Sequence, residues 1–171
     1  MLVYVIIIVY TMEKERIFMK INWKTLTICL LIPLSAGGLS ALLTNNSMKV
    51  FESIEKPVFA PPGWLFPVVW SVLYLLMGIA SYMVITSGRP YRRAMTAYFA
   101  QLICNFVWPL IFFNMGAYLL AFIWLIALII LVTATIILFY KISKTSALLF
   151  APYMVWLLFA GYLNWGIYML N

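Results

Sequence analysis

Residues 116 to 140 read GAYLLAFIWLIALIILVTATIILFY, a stretch without a single charged side chain. A helix needs about 20 apolar residues to cross the roughly 30 Å hydrocarbon core of a bilayer, so this stretch is long enough to span. Similar windows recur along the chain, whose 171 residues are 67% hydrophobic and 9% charged. Soluble domains are about half apolar and a quarter charged. Composition therefore predicts an integral membrane protein without a second, soluble domain.

Turn residues divide the chain into five predicted spanning helices. The breaks fall at residues 45–46, at 88–90, at 114–116 and in the polar turn 141–145. The predicted helices cover residues 25–43, 64–86, 95–113, 116–140 and 146–169. Because most connections are short, neighbouring helices should be antiparallel. We expect an all-α fold, a five-helix transmembrane bundle formed by residues 23–171.

Residues 1–22 form an N-terminal extension in this scheme. Residues 1–10 are apolar, but they are too few to cross a bilayer, and no basic residue precedes them as in a signal peptide. Met12 and Met19 follow closely. Two interpretations stay open: the extension lies on the membrane surface, or it precedes the real start of the protein.

The basic residues predict the orientation, because cytoplasmic loops carry an excess of Lys and Arg. Five spans put nine of the eleven on one face: Lys14, Arg16, Lys20, Lys24, Arg89, Arg92, Arg93, Lys141 and Lys144. The opposite face has Lys49 and Lys56. We predict a multi-pass protein of the cell membrane, with the N-terminus cytoplasmic and the C-terminus outside. Topology and anionic lipid explain the net charge of +7, so no nucleic-acid partner is expected.

The predicted spans lack the residue types that metal-dependent and acid–base chemistry usually need. The chain has no histidine, and its four acidic residues all lie outside the predicted spans. Metal catalysis, two-carboxylate catalysis and proton pumping usually need such groups, so no metal site is predicted. Cys29 and Cys104 lie in apolar runs, where a thiol normally serves packing rather than a disulfide.

Aromatic and neutral polar side chains follow helical spacing inside the predicted spans. The second span carries Trp70, Tyr74, Met77 and Ser81, and the third carries Gln101, Asn105 and Trp108. Trp156 lies about 15 Å into the fifth span, where its indole N–H needs an acceptor. Helix packing could account for any single one of these groups. Together they indicate a mostly apolar site with a few orienting polar groups, suited to a flat conjugated ligand.

The connection formed by residues 45–62 is a candidate lid. It combines charged residues with Phe51 and the run KPVFAPPGW. A loop at the mouth of a bundle can cover a site, and Pro57, Pro61 and Pro62 would restrain its shape. A solvated linker is the alternative interpretation.

Three motifs carry a family resemblance: KPVFAPPGWLFPVVWSVLYLLMGIASY at 56–82, QLICNFVWPLIFF at 101–113 and APYMVWLLFAGYLNWGIY at 151–168. Their order and spacing resemble the translocator protein family, also called the tryptophan-rich sensory proteins or peripheral benzodiazepine receptors. The resemblance implies a five-helix bundle, commonly a homodimer, that binds protoporphyrin IX and isoquinoline-carboxamide or benzodiazepine drugs beneath the loop between the first two helices. Bacterial members are linked to light-dependent oxidative breakdown of protoporphyrin. Gly37 and Ala41 would permit close helix packing, in the bundle or in a dimer.

The resemblance also assigns residues. Trp70 and Trp156 match the tryptophans of the family's PVW and PYxxW motifs, Asn105 ends AQLICN where the family has GQxxxN, and Ala160 matches a small residue facing the ligand. The candidate ligand contacts are Trp70, Tyr74, Gln101, Asn105, Trp108, Tyr153, Trp156, Ala160 and Pro61; Trp70 and Trp156 are also candidate catalytic residues. The chain ends Tyr168, Met169, Leu170, Asn171, without the basic residue that the cholesterol pattern of animal members needs.

We therefore expect a tetrapyrrole-binding membrane protein that promotes light-dependent oxidative degradation of bound porphyrin. No covalent cofactor is expected, because the porphyrin is the ligand or substrate. Lys49 or Lys56 could meet a porphyrin carboxylate at the loop side. A porphyrin transporter and a passive tetrapyrrole sensor remain alternatives, and analysis of the products formed in light and in darkness would distinguish them.

Overall fold

The computed structural model describes residues 21–44 and 47–171, so the predictions for the extension before residue 21 lie outside the described residues. The helices are α1 (Trp23–Leu43), α2 (Ser47–Ser53), α3 (Leu65–Ile85), α4 (Arg92–Pro109), α5 (Tyr118–Tyr140), α6 (Lys144–Leu148) and α7 (Ala151–Leu170). In this part of the chain, five helical stretches are long and apolar enough to cross a membrane. The predicted all-α bundle of five spans is confirmed, with every boundary within three residues of the prediction.

The third and fifth spans depart from single regular helices beside proline residues. α4 continues through a π-helical turn, Leu110–Asn114, directly after Pro109. The fifth span was predicted as one helix, but a turn at residues 149–150 separates α6 from α7. Pro152 lies in the first turn of α7. A proline ring clashes with the carbonyl four residues earlier in a continuous helix, whereas the first turn tolerates it.

The helices form a closed bundle in which α1 packs against α3 and α4, α4 against α5, and α5 against α7. Gly78 lets α1 and α3 approach closely, since a Cβ there would lie 2.8 Å from the carbonyl oxygen of Cys29. Gly37 faces the ring of Tyr74 across the same interface. Gly37 therefore packs closely within the bundle, while its role in a dimer stays a prediction.

The two ends of the bundle differ in charge. The end at which α1 and α4 begin, here called the basic end, carries Lys24, Arg89, Arg92, Arg93, Lys141 and Lys144. The opposite end, here called the loop end, carries Lys49 and Lys56. This distribution agrees with the predicted up-and-down topology. Which end faces the cytoplasm stays a prediction.

The loop end is covered by α2 and the chain that follows it. Phe51 of α2 is only 4% exposed and packs with Ile111, Phe112 and Ile167. The C-terminal residue holds the same segment, because the Asn171 amide accepts from the backbone N–H of Glu55 and donates to its carbonyl, both at 3.1 Å. The loop thus contains a docked helix that the sequence analysis did not predict.

Candidate ligand site

A hydrogen-bonded bridge of two tyrosines and an amide joins three helices at the middle of the bundle. The hydroxyl of Tyr74 on α3 donates to Oδ1 of Asn105 on α4 at 2.7 Å. Nδ2 of Asn105 in turn donates to the hydroxyl of Tyr153 on α7, also at 2.7 Å. All three side chains are buried. Each bond contributes about 1 kcal/mol net, and leaving a buried partner unpaired costs about 1–3 kcal/mol, so the bridge holds these helices in one arrangement.

Aromatic rings line the space beside this bridge. Trp70 stacks on Tyr74 with ring centroids 5.5 Å apart, and it meets Tyr153 edge-on at 6.0 Å. The residues around a small cavity are Trp70, Asn105, Trp108, Leu125, Leu128, Leu157 and Ala160. The structure therefore brings together six of the predicted ligand contacts: Trp70, Tyr74, Asn105, Trp108, Tyr153 and Ala160.

The cavity is nearly closed. Its volume is about 10 Å³, roughly enough for one water molecule. Pockets for drug-sized ligands measure about 300–1,000 Å³. A large flat ligand can therefore occupy this position only if helices or rings move apart.

Sequence reasoning missed one polar residue of the site, Asn164 on α7. Nε1 of Trp108 donates to its Oδ1 at 3.3 Å, and its Nδ2 donates to the carbonyl of Tyr118 at 2.8 Å. Asn164 is 1% exposed. The signal was available, because Tyr153, Leu157, Ala160 and Asn164 follow the i, i+4, i+7, i+11 spacing of one helix face.

Trp156 lies apart from this cluster. Its ring meets Phe66 of α3 at 5.7 Å and Phe159 of α7 at 5.6 Å. Its indole nitrogen has no hydrogen-bond partner among the described residues. Since Phe66 lies one turn before Trp70, Trp156 occupies the contact between α3 and α7 beside the cavity rather than the cavity wall. The two candidate catalytic tryptophans thus have different surroundings.

Gln101 is a predicted ligand contact whose side-chain amide is buried and unpaired among the described residues. It is fully buried, and neither atom of its amide has a partner in residues 21–44 and 47–171. It lies on α4 one turn from Asn105, toward the basic end. Buried polar groups are nearly always hydrogen-bonded, so this amide marks a place for water or a ligand group.

The residues predicted on the loop are not part of the cavity wall. Pro61 is half-buried in the chain between α2 and α3, and it does not line the cavity. Nζ of Lys56 donates to the carbonyls of Phe51 at 2.7 Å and Glu52 at 3.1 Å, so it caps the end of α2. Lys49 is exposed. Of the two lysines considered for a ligand carboxylate, Lys49 is the one without this capping role.

Comparison with known proteins decides the family. The model of the TspO/MBR family matches residues 29–170, which include all of the spans except the first six residues of α1. This chain belongs to the TspO/MBR family. The matched range includes the three motifs from the sequence analysis and the ligand-site residues of α3, α4 and α7. The protein is thus a multi-pass membrane protein of this family.

Curated relatives of this TspO/MBR member cover most of its length. A tryptophan-rich protein TspO from Archaeoglobus fulgidus is 39% identical over 152 residues, 88% of this chain and 99% of the relative. Protein CrtK from Rhodobacter capsulatus is 36% identical over 80% of this chain and 86% of its own length. The translocator protein of Bos taurus is 31% identical, covering 82% and 86% respectively.

Proposed function

We propose that this protein binds a tetrapyrrole such as protoporphyrin IX between α3, α4 and α7 and promotes its light-dependent oxidative degradation. The observation that carries the proposal is the cluster of Trp70, Tyr74 and Tyr153 around the amide of Asn105. Large aromatic faces with few orienting polar groups suit a planar macrocycle. Membership in the TspO/MBR family supports a tetrapyrrole-related function in a membrane.

Binding requires α3 and α7 to separate, which breaks aromatic contacts and must preserve or replace the hydrogen bonds of the Asn105 bridge. The two helices meet through aromatic pairs, Trp70 with Tyr153 and Phe66 with Trp156. Such pairs contribute about 0.5–1.5 kcal/mol each beyond area burial. Inserting a porphyrin replaces these ring contacts with contacts to the two faces of the macrocycle. The same opening would admit isoquinoline-carboxamide or benzodiazepine-type ligands, whose carbonyls could accept from an indole or amide N–H.

The loop is suited to act as a lid over this opening. The contact of Phe51 with Phe66, at 5.0 Å, connects α2 to the ring that touches Trp156. Movement of α2 would therefore loosen the contact between α3 and α7. Lys49, exposed on the same helix, could then meet an anionic propionate of the porphyrin.

In the proposed photoreaction, light excites the bound porphyrin and O₂ is the oxidant. An indole donates one electron to the excited ring, which passes an electron to O₂ and forms superoxide. The oxidised indole then takes an electron from the porphyrin, so that the ring is oxidised and the tryptophan is restored. Attack by reduced oxygen on the oxidised ring opens the macrocycle. Trp70 is the first candidate donor because it lines the cavity.

The test combines binding with product analysis. The purified protein in detergent micelles is titrated with protoporphyrin IX in darkness by absorbance, then illuminated at saturating ligand. We expect saturable binding and faster loss of porphyrin absorbance than in protein-free micelles. Absence of binding would contradict the whole proposal. Binding with the protein-free rate of loss would contradict the photochemical part and leave a sensor or transporter, which uptake of porphyrin into protein-containing vesicles would separate.

A further inference from the structure

A furrow runs between α1 and α4 on a different side of the bundle from the candidate ligand site. At the basic end it begins as a cavity of about 110 Å³, whose lining includes Thr25, Ile32, Ser81 and Tyr98. It continues along the bundle as an open groove of about 460 Å³, whose lining includes Ile32, Leu39, Ile103 and Phe106. Ile32 lines both, so the cavity and the groove adjoin along α1, and together they are called the furrow here.

The dimensions of the furrow fit a lipid chain. Thr25 and Leu39 are separated by 14 residues of α1, which corresponds to about 21 Å at 1.5 Å per residue. One leaflet of the hydrocarbon core is about 15 Å deep. The furrow is therefore long enough for a whole acyl chain, and its groove section is lined almost entirely by apolar side chains.

A buried polar group borders the cavity at the basic end of the furrow. Tyr98 is 1% exposed, and its hydroxyl lies beside that of Ser81, which donates to the carbonyl of Gly78, without forming a hydrogen bond of ordinary geometry to it. Such a group costs about 1–3 kcal/mol when it stays unpaired, so an acceptor from outside the chain is favoured. Tyr98 lies six residues after the start of α4, about 9 Å along the helix. A lipid whose phosphate lay at the start of α4 would extend its ester groups and acyl chains toward that depth.

Two cations flank the mouth of the furrow. Lys24 lies four residues before Ile28 on α1, and Arg92 lies three residues before Met95 on α4; Ile28 and Met95 both line the cavity. Residues with this spacing share a helix face, so both basic residues lie on the furrow side. Both are exposed. Basic pockets between helices at a membrane surface recognise anionic headgroups.

We propose that this furrow is a binding site for one anionic phospholipid. Its phosphate lies between Lys24 and Arg92, one acyl chain follows the groove past Ile32 toward Leu39, and an ester carbonyl accepts the hydrogen bond of the buried Tyr98 hydroxyl once the side chains that cover it move aside. The lipid supplies the acceptor that Tyr98 lacks. The site shares no residue with the cavity at Trp70 and Asn105, so the proposal does not depend on tetrapyrrole binding.

The experiment measures lipid binding by native mass spectrometry of the full chain in neutral detergent. Dioleoylphosphatidylglycerol, dioleoylphosphatidylcholine and oleate are added separately. We expect one phosphatidylglycerol to be retained, with weaker retention of the other two. The double variant Lys24→Gln, Arg92→Gln should lower the phosphatidylglycerol affinity about 25-fold, at roughly 1 kcal/mol per basic residue. Tyr98→Phe should lower it about fivefold, the loss of one hydrogen bond.

The matched control is Lys141→Gln, Lys144→Gln, which removes the same charge from the same end but away from the furrow. The charge-preserving pair Lys24→Arg, Arg92→Lys should retain binding, which separates headgroup recognition from a folding defect. Equal retention of phosphatidylglycerol and phosphatidylcholine would overturn the proposal. So would equal loss in the two neutralised pairs, or retention of oleate equal to that of phosphatidylglycerol. Efficient disulfide cross-linking of Leu39→Cys protein in vesicles would also overturn it, by showing that a second copy occupies the groove.

Discussion

Two adjacent layers of the bundle differ in how their buried polar groups are satisfied. In the middle layer, Tyr74, Asn105 and Tyr153 are paired with one another. In the layer toward the basic end, Tyr98 and Gln101 are equally buried, but Tyr98 Oη and both atoms of the Gln101 amide lack partners among the described residues. The two layers lie about one helical turn apart on α4.

The difference indicates how each layer could accept a ligand. A fully paired network is stable without a ligand, so the middle layer is closed and has almost no free volume. Unpaired groups in a low-dielectric interior are costly, so the other layer needs water or a ligand to complete it. Ligand binding in the middle layer must exchange existing contacts, whereas binding near Tyr98 adds contacts that the protein lacks.

The largest effect is expected from Gly78→Ala, because Gly78 lies on α3 between the two layers. The added methyl group would lie 2.8 Å from the carbonyl oxygen of Cys29 and 2.9 Å from Cα of Leu30, both backbone atoms. We expect a loss of about 3 kcal/mol in the free energy of unfolding, the upper range for overpacking. Denaturant unfolding followed by circular dichroism measures it.

Gly38→Ala is the matched control, since a Cβ there meets nothing within 4 Å. It should be neutral or slightly stabilising, because alanine favours a helix by about 1 kcal/mol over glycine. Equal destabilisation by both variants would show that α1 and α3 are not held by this close approach.

The second prediction compares the layers directly through Asn105→Leu and Gln101→Leu. Asn105→Leu leaves two buried tyrosine hydroxyls without their partner and should cost about 2 kcal/mol, the sum of two hydrogen bonds. Gln101→Leu removes an amide that has no partner, so it should be neutral or stabilising by about 1 kcal/mol. The same unfolding measurement tests both. If Gln101→Leu were as costly as Asn105→Leu, the Gln101 amide must already be paired with bound water, and the contrast between the layers would disappear.

The third prediction concerns the two tryptophans in the proposed photoreaction. Trp70→Phe keeps an aromatic wall and most of the binding but removes the indole that lines the cavity. We expect a severalfold slower light-driven loss of protoporphyrin at saturating ligand, and a smaller decrease for Trp156→Phe, which lies beside the cavity. Trp165→Phe, at an exposed position, is the control. Rates equal to wild type in both site variants would mean that the porphyrin reacts without help from either indole.

The smallest effect is expected at the lid. Asn171→Ala removes two hydrogen bonds to Glu55 that are exposed to water, worth about 1 kcal/mol together. Protoporphyrin should then dissociate a fewfold faster in stopped-flow displacement, with little change in thermal stability. Asn114→Ala is the control, because Nδ2 of Asn114 donates instead to the carbonyl of Leu43, at the end of α1. Faster dissociation of protoporphyrin in the control alone would show that movement at the end of α1, rather than of α2, limits release.

Sequence reasoning located the elements and most of the site because both depend on local patterns. Apolar stretches long enough to cross a bilayer, and the turns between them, define the spans. Helical spacing placed Trp70 with Tyr74 on one helix face and Gln101 with Asn105 on another. The position of Trp156 followed from its motif, but its rotation toward Phe66 did not. Asn164 and the short helix α2 were missed, since an amide or a polar loop segment is informative only when its partner is known.

The sequence alone thus determined that this is a five-helix membrane protein of a recognisable family, because crossing a bilayer requires length, apolarity and satisfied backbone hydrogen bonds within each helix. Only the tertiary structure decided which polar side chains are paired, how little space lies between Trp70 and Ala160, and where a furrow opens between α1 and α4. Those features depend on how each helix is rotated and how closely it approaches its neighbours. Contacts between residues far apart in the chain set both quantities.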